Sequence, residues 1–250
     1  MAKVTLEKVA HGFAETGEVI CELDLTIEPG EFVSFLGPSG CGKSTLLRII
    51  AGLLKPEHGR INVDAGGRKF FRGFVFQEAQ LLPWRTVLEN AALPLELIGR
   101  PRSEAREKAR MALAKVGLGD SLEKYPKQLS GGMKMRVSVA RALVAEPSLL
   151  LLDEPFSALD EMARELLQEE LRRLWENLGM TVVFVTHSVA EAVFLSERTI
   201  VLSSRPARVV CDCRIELGRR RDESTRRGPH YWRLVSEISG QLRLAREGEI

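Results

Sequence analysis

Short uninterrupted apolar runs alternate along this chain with segments in which apolar residues recur every three or four positions. The first pattern predicts buried strands and the second amphipathic helices. EFVSFLG (Glu31 to Gly37), GFVFQ (Gly73 to Gln77), SLLLLDE (Ser148 to Glu154), TVVFVTH (Thr181 to His187) and RTIVLS (Arg198 to Ser203) read as strands. STLLRIIAGLL, Ser44 to Leu54, reads as a helix that follows a glycine-rich turn. MARELLQEELRRLWENLG places Leu167, Leu171, Leu174 and Leu178 on one helical face, with Gly179 as the stop. Strands alternating with helices predict an α/β core. Between Gln77 and Glu146 the strand pattern vanishes. TVLENAALPLEL, SEAREKARMALAKVGL and SGGMKMRVSVARALVAE predict a helical lobe, about residues 78–146, inserted into the sheet domain.

A further unit is expected after Arg205, so the chain divides into a body, 1–205, and an appendage, 206–250. In VVCDCRIEL, Val209, Cys211, Cys213, Ile215 and Leu217 alternate with polar or smaller apolar positions, which predicts a strand whose cysteines pack into a core. RRRDESTRRG reads as a solvated basic linker, because Asp222 and Glu223 interrupt its arginines and no aromatic residue interleaves for base stacking. In the last segment Trp232, Val235, Ile238 and Leu242 have the spacing of a docking helix face.

Composition narrows the function classes. With 250 residues and 44% hydrophobic content, the chain can bury a sizeable core. A net charge of +2 argues against a polyanion-binding role. Cys21, Cys41, Cys211 and Cys213 match no zinc spacing and no disulfide framework. No basic start leads into an apolar segment, and no apolar run reaches the ~20 residues of a membrane span. The expected location is therefore the cytoplasm, or the cytoplasmic side of the inner membrane, held there by a partner.

The chemistry lies in the punctuation between elements. GPSGCGKST, comprising Gly37, Pro38, Ser39, Gly40, Cys41, Gly42, Lys43, Ser44 and Thr45, is a phosphate-binding loop after a strand and before a helix. Its backbone N–H groups can wrap a β-phosphate, Lys43 reaches the β/γ-phosphates, and Ser44 can ligate Mg²⁺. LLLLDE delivers Asp153 for the Mg²⁺ shell and Glu154 as a general base for water. Gln77, at the end of GFVFQ, offers an amide oxygen to the metal or the attacking water, and His187 offers an imidazole to a γ-phosphate. LSGGM sets Ser130, Gly131 and Gly132 at a helix start, where free N–H groups and the helix dipole favour an anion.

GPSGCGKST, Gln77, LSGGM, LLLLDEP, SALD (Ser157 to Asp160) and His187 follow one another as in ABC-type ATPases, and the chain resembles that family from its first strand to about Arg205. The resemblance implies a P-loop α/β core with a β-rich N-terminal subdomain and an inserted helical subdomain. It implies ATP and Mg²⁺ as cofactors and Phe13 as the aromatic that stacks on adenine; a core phenylalanine is the other reading of Phe13. It also implies that LSGG covers a γ-phosphate held by a second ATPase subunit, in a head-to-tail homodimer. QLLPWRTVLENAALPLEL and the tail are similar to importer ATPases for nitrate, sulfonate and taurine, which implies a membrane permease partner and, indirectly, a solute-binding protein. A soluble ABC ATPase acting on an iron–sulfur scaffold or a cell-division complex is the alternative. The chain departs from the family pattern at Met133 and Met135, where glutamine is usual.

Overall fold

The computed structural model describes residues 1–15, 17–67, 71–157 and 159–247. The strands are β1 (Lys3–Phe13), β2 (Gly17–Ile27), β3 (Phe32–Leu36), β4 (His58–Asp64), β5 (Arg72–Val75), β6 (Leu149–Asp153), β7 (Thr181–Thr186), β8 (Arg198–Leu202) and β9 (Val209–Arg214). The helices are α1 (Lys43–Ala51), α2 (Val87–Leu97), α3 (Arg102–Lys115), α4 (Gly131–Leu143), α5 (Glu161–Leu178), α6 (Val189–Leu195), α7 (Glu223–Arg227) and α8 (Pro229–Glu247). The chain divides into two compact units, one formed by Met1–Lys69 with Trp175–Ile250 and the other by Phe70–Leu174.

In the first unit, β3 is buried at every position and lies parallel to β7 on one side and β8 on the other. Such a strand needs apolar residues on both faces, which is why FVSFL shows no alternation. β9 closes this edge antiparallel to β8. A separate antiparallel sheet has β1 between β2 and β4, which is the expected β-rich N-terminal part. Its pairing slips at bulges near Lys8 (φ 47°) and Glu22 (φ 39°), and these bend the hairpin.

The second unit holds β5 parallel to β6, followed and preceded by helices. No strand lies between Val75 and Leu149. α2 starts with a capping box: Thr86 Oγ1 accepts from Glu89 N–H at 3.2 Å, and Glu89 Oε2 accepts from Thr86 N–H at 3.0 Å. The bond from the Thr86 backbone holds the Glu89 carboxyl below its ordinary range. α4 starts at Ser130, whose Oγ accepts from Met133 N–H at 3.2 Å. Gly132 packs closely here: a Cβ would come within 2.6 Å of Leu159 Cδ2, so the buried Leu159 side chain would have to shift.

Several expectations for the helical faces and the tail are corrected. On α5, Leu178 is 44% exposed and Trp175 takes its place in the core, donating Nε1–H to Gly30 O at 3.2 Å. The buried face of α8 is Tyr231, Leu234, Ile238, Leu242 and Ala245; Trp232 points outward at 57% exposure and Val235 is half-buried. The aromatic pair allowed two registers, and Tyr231 wins because its hydroxyl finds Ala190 O at 3.0 Å. Cys211 and Cys213 are half-buried and joined as a disulfide, rather than packed in a core. They share one face of an edge strand with Cα atoms 5.9 Å apart, inside the range a bridge can span.

The basic stretch is not simply a solvated linker. It contains the short helix α7, capped by Asp222, and it buries Arg221 at 4% exposure. The Arg221 guanidinium donates to the carbonyls of Val193, Phe194 and Ser196 at the end of α6, and to Glu197 at 2.9 Å. Those carbonyls have no partner within their own helix, so the arginine supplies their missing donors. Arg226 lies over the Phe194 ring with its guanidinium carbon 3.3 Å from the centroid. Arg221→Ala should lower the unfolding free energy by about 2–3 kcal/mol in a urea titration, because a charged donor set is lost from buried carbonyls.

Candidate functional site

Each expected site residue lies at or just beyond the carboxyl end of a strand, or at a helix start. In the first unit, Leu36 pairs with Thr186 across β3 and β7. Gly37 and His187 are the next residues, so the phosphate-binding loop and the imidazole leave the sheet side by side. His187 is exposed on the turn into α6, which Ser188 caps by accepting from Glu191 N–H at 3.3 Å.

The loop itself folds around Lys43. The side chain is buried at 4% exposure, and Nζ donates to Gly37 O and Pro38 O, each at 2.8 Å. An ammonium held by two neutral carbonyls keeps its full charge available to an anion. Gly40 (φ 77°) and Gly42 (φ 115°) take left-handed backbone. At Gly42 a Cβ would also meet Val19 Cγ1 at 2.8 Å, so glycine is required both for the turn and for the close approach of β2. Gly42 caps α1 without a side-chain acceptor, and a helix start of this kind favours an anion. Ser44 and Thr45 follow in the first turn, half-buried. Ser39 is exposed. Cys41 is buried, and that burial pushes its thiol up despite the nearby Lys43, so it is not a reactive thiolate at neutral pH.

Phe13 ends β1 at 44% exposure and is not a core residue. The backbone around it is pinned. Glu57 Oε2 accepts from Gly12 N–H at 3.1 Å, and Arg205 donates to Gly17 O and Glu18 O, each at 2.9 Å. The His11 ring meets the Phe13 ring edge-on at 4.9 Å. An exposed aromatic on a fixed hairpin is a platform for a flat apolar ligand.

In the second unit, Val75 pairs with Leu152 across β5 and β6, and Gln77 and Glu154 each lie two residues further on. The amide and the carboxylate therefore leave their strands together. Asp153 closes β6 at 3% exposure, and Glu154 adopts φ 45°, left-handed for a residue with a Cβ. Such strain persists where the surroundings enforce it. Ser157 contributes, as its Oγ and N–H both donate to Glu154 O, at 3.0 and 3.2 Å. Of the SALD stretch, Ala158 lies outside the described residues. Asp160 caps α5 by accepting from Ala163 N–H at 2.9 Å. Ser130 and Gly131 are exposed and Gly132 half-buried at the start of α4. Met135 is buried at 2% exposure, so an apolar environment accounts for the departure from glutamine there.

Two residues that shape this unit escaped the motif reading. Asn90 is fully buried in α2; its Oδ1 accepts from Leu82 N–H at 2.8 Å, and its Nδ2–H₂ donates to Leu82, Arg85 and Thr86 carbonyls. Arg141 of α4 donates to Ala79 O and Gln80 O at 3.0 and 2.9 Å. Both residues fasten the loop between Gln77 and α2. The available signal was a polar side chain on an otherwise apolar helical stretch, as in VLENAAL and SVARALV.

Known proteins match this arrangement. Residues 20–157 match the family described as ABC transporter. A nitrate import ATP-binding protein of Synechocystis is 44% identical, covering 95% of this chain and 93% of that one. A taurine import ATP-binding protein of Pseudomonas aeruginosa is 42% identical, over 88% of this chain and 86% of its own. An aliphatic sulfonates import ATP-binding protein of Ralstonia nicotianae is 45% identical, over 95% of this chain and 82% of its own. Among solved structures, a dimeric post-hydrolysis ATP-binding cassette bound to ADP and phosphate superposes with a TM-score of 0.76 at 35% identity, covering 86% of this chain and all of that one. A phosphate loop closed around a buried lysine next to His187 in one unit, and strand ends that deliver Gln77 and Glu154 in the other, thus occur in a chain that belongs to the ABC transporter family and is the ATP-hydrolysing subunit of an import system.

Proposed function

We propose that two copies of this chain close head to tail on two ATP molecules and drive a membrane permease that imports a small solute of the nitrate, sulfonate or taurine kind. The observation that carries this reading is the buried Lys43 ammonium, held to the Gly37 and Pro38 carbonyls inside the glycine-rich loop that opens α1. The residue roles follow from their places. The amides of Gly37 to Thr45 wrap the phosphates, and Lys43 binds the β/γ pair. Phe13 stacks on the base. Glu154 accepts a proton from the attacking water, while Gln77 and His187 orient the water and the γ-phosphate. Ser130 and the Gly131–Gly132 backbone meet the phosphate held by the other copy.

Ser44 in the first unit, and Gln77 and the buried Asp153 in the second, each offer a hard oxygen donor of the kind Mg²⁺ takes. When bound, it neutralises charge on the β- and γ-phosphates. No helix among the described residues is long and apolar enough to cross a membrane, which suits an engine that docks on a separate permease. The second unit offers a docking surface. A groove of about 480 Å³ runs between Phe74, Gln80, Pro94 and Leu97, and Leu97 is 77% exposed. The motor body is residues 1–205 with its helical part at about 78–146, and 206–250 is an appendage folded on it. A solute-binding protein would act through the permease.

Three outcomes are expected. Lys43→Ala abolishes measurable ATP binding in an equilibrium titration; unchanged affinity would remove the phosphate-loop assignment. Glu154→Gln keeps ATP binding and slows hydrolysis by a factor of about 10² or more, since an amide is a poor base. It also accumulates an ATP-bound dimer in size-exclusion chromatography with light scattering, and near-normal turnover would assign the base elsewhere. Ser130→Arg binds ATP as a monomer but does not dimerise. Mixed with Lys43→Ala, it forms a nucleotide-dependent heterodimer, with both lesions in one site and an intact second site. A Ser130→Arg monomer that binds ATP as poorly as Lys43→Ala would show that LSGGM serves its own chain.

A further inference from the structure

Arg141 is the feature that the proposed roles leave unused. It sits near the end of α4, with Ser130 at the other end of the same helix. At 1.5 Å per residue, the two lie about 16 Å apart along one rigid rod. Two of its guanidinium nitrogens each donate to a backbone carbonyl, Nη1 to Gln80 O at 2.9 Å and Nη2 to Ala79 O at 3.0 Å. The planar fork of arginine meets two adjacent carbonyls with two nitrogens in a fixed geometry, whereas a lysine would have to hold both from one atom.

The loop it holds is under local strain. Gln80 adopts φ 44°, left-handed backbone that a side chain disfavours. Both grasped carbonyls therefore flank or belong to a turn that would relax if released. Three residues before Gln80 is Gln77, beside Glu154 at the strand ends. At its far side the loop is anchored again, because Asn90 holds both the N–H and the carbonyl of Leu82. Burial leaves the Arg141 guanidinium partly stripped of water, so the carbonyls are its substitute solvent.

We propose that Arg141 is a positioning residue that locks the loop after Gln77 to α4, so that the Ser130 end of the helix and the glutamine loop respond to nucleotide as one piece. This rests on the reading of Ser130 and Gln77 given above. A phosphate arriving at Ser130 pulls the start of α4, and Arg141 carries the displacement to Ala79 and Gln80. The fork thereby ties closure of the dimer to placement of the glutamine that orients water. Arg141 touches no substrate in this scheme.

The test is hydrogen exchange on the full chain carrying Glu154→Gln, with and without ATP. In that parent, ATP should slow exchange of the amides at 131–134 and of those at 78–82. Adding Arg141→Ala should leave the slowing at 131–134 and abolish it at 78–82. In the otherwise native chain, Arg141→Ala should cut kcat for ATP hydrolysis about 10- to 100-fold, the cost of a misplaced reacting group, with KM for ATP within about 2-fold. Equal protection at 78–82 with and without Arg141 overturns the coupling, as does a kcat within about 2-fold of the native value. A drop in kcat accompanied by an equal loss of ATP affinity would make the residue merely structural and also overturns it. If ATP protects neither segment in the parent, the reading of Ser130 has failed and the coupling falls with it. Gln77→Ala turning over normally would sink the glutamine reading by itself. Should Arg141→Ala not fold, Arg141→Lys is scored by the same two readouts, since it keeps the charge and loses the fork.

Discussion

A parallel strand buried on both faces can present polar chemistry only where it ends. β3, β6 and β7 are buried at every position, so none of them has a free face for a functional side chain. Whatever the protein does with these strands, it does at their carboxyl termini. Within each unit, parallel neighbours run the same way, so their ends leave the sheet together. The pairing of Leu36 with Thr186 makes Gly37 a neighbour of His187, and the pairing of Val75 with Leu152 makes Gln77 a neighbour of Glu154. Register fixes the site before any side chain chooses a rotamer.

That arrangement creates a second requirement. Residues just past a strand end have left the ladder, so something else must hold their backbone. The structure uses a different device at each exit. Gly37 and Pro38 are held by the Lys43 ammonium, which accounts for that side chain's burial. Glu154, in left-handed backbone, is held through its carbonyl by Ser157. The loop after Gln77 is held by Arg141 at one end and Asn90 at the other. Polar side chains thus act as substitutes for strand neighbours, and where the bond is buried, as between Lys43 and Gly37 O, the unmet carbonyl would cost about 1–3 kcal/mol.

The sequence revealed these features unevenly, and the reasons are physical. Core strands were legible because continuous apolar runs have no other stable use in a domain of this kind. The phosphate loop and LSGGM were legible because glycine at fixed spacing signals backbone that must turn or come close. The faces of α5 and α8 were misjudged where an aromatic with a polar tip competes for the core. The Tyr231 hydroxyl finds a carbonyl and Trp232 is left outside, and on α5 the Trp175 indole finds another while Leu178 stays exposed; both outcomes depend on distant residues. The basic stretch was misread for a similar reason. Asp222 and Glu223 suggested solvent, yet the next residue back, Arg221, is buried because the end of α6 needs donors. The cysteine pair was placed in a core because alternation reports which residues share a face. It does not report whether anything covers that face, and β9 is an edge strand.

Asn90 and Arg141 expose a further limit of motif reading. Neither residue belongs to a pattern that binds phosphate or metal, yet both shape a loop that does chemistry at its start. A motif names groups that touch the ligand, whereas precision depends on what holds those groups. In a buried helix face a polar residue is costly unless every donor and acceptor is used. Asn90 uses both ends of its amide, and Arg141 uses both arms of its fork. A polar residue interrupting an apolar helical stripe therefore carries positional information. It marks a place where the neighbouring chain has left regular structure and needs a partner. In this protein the two such marks on α2 and α4 converge on a single loop, the one that begins at Gln77.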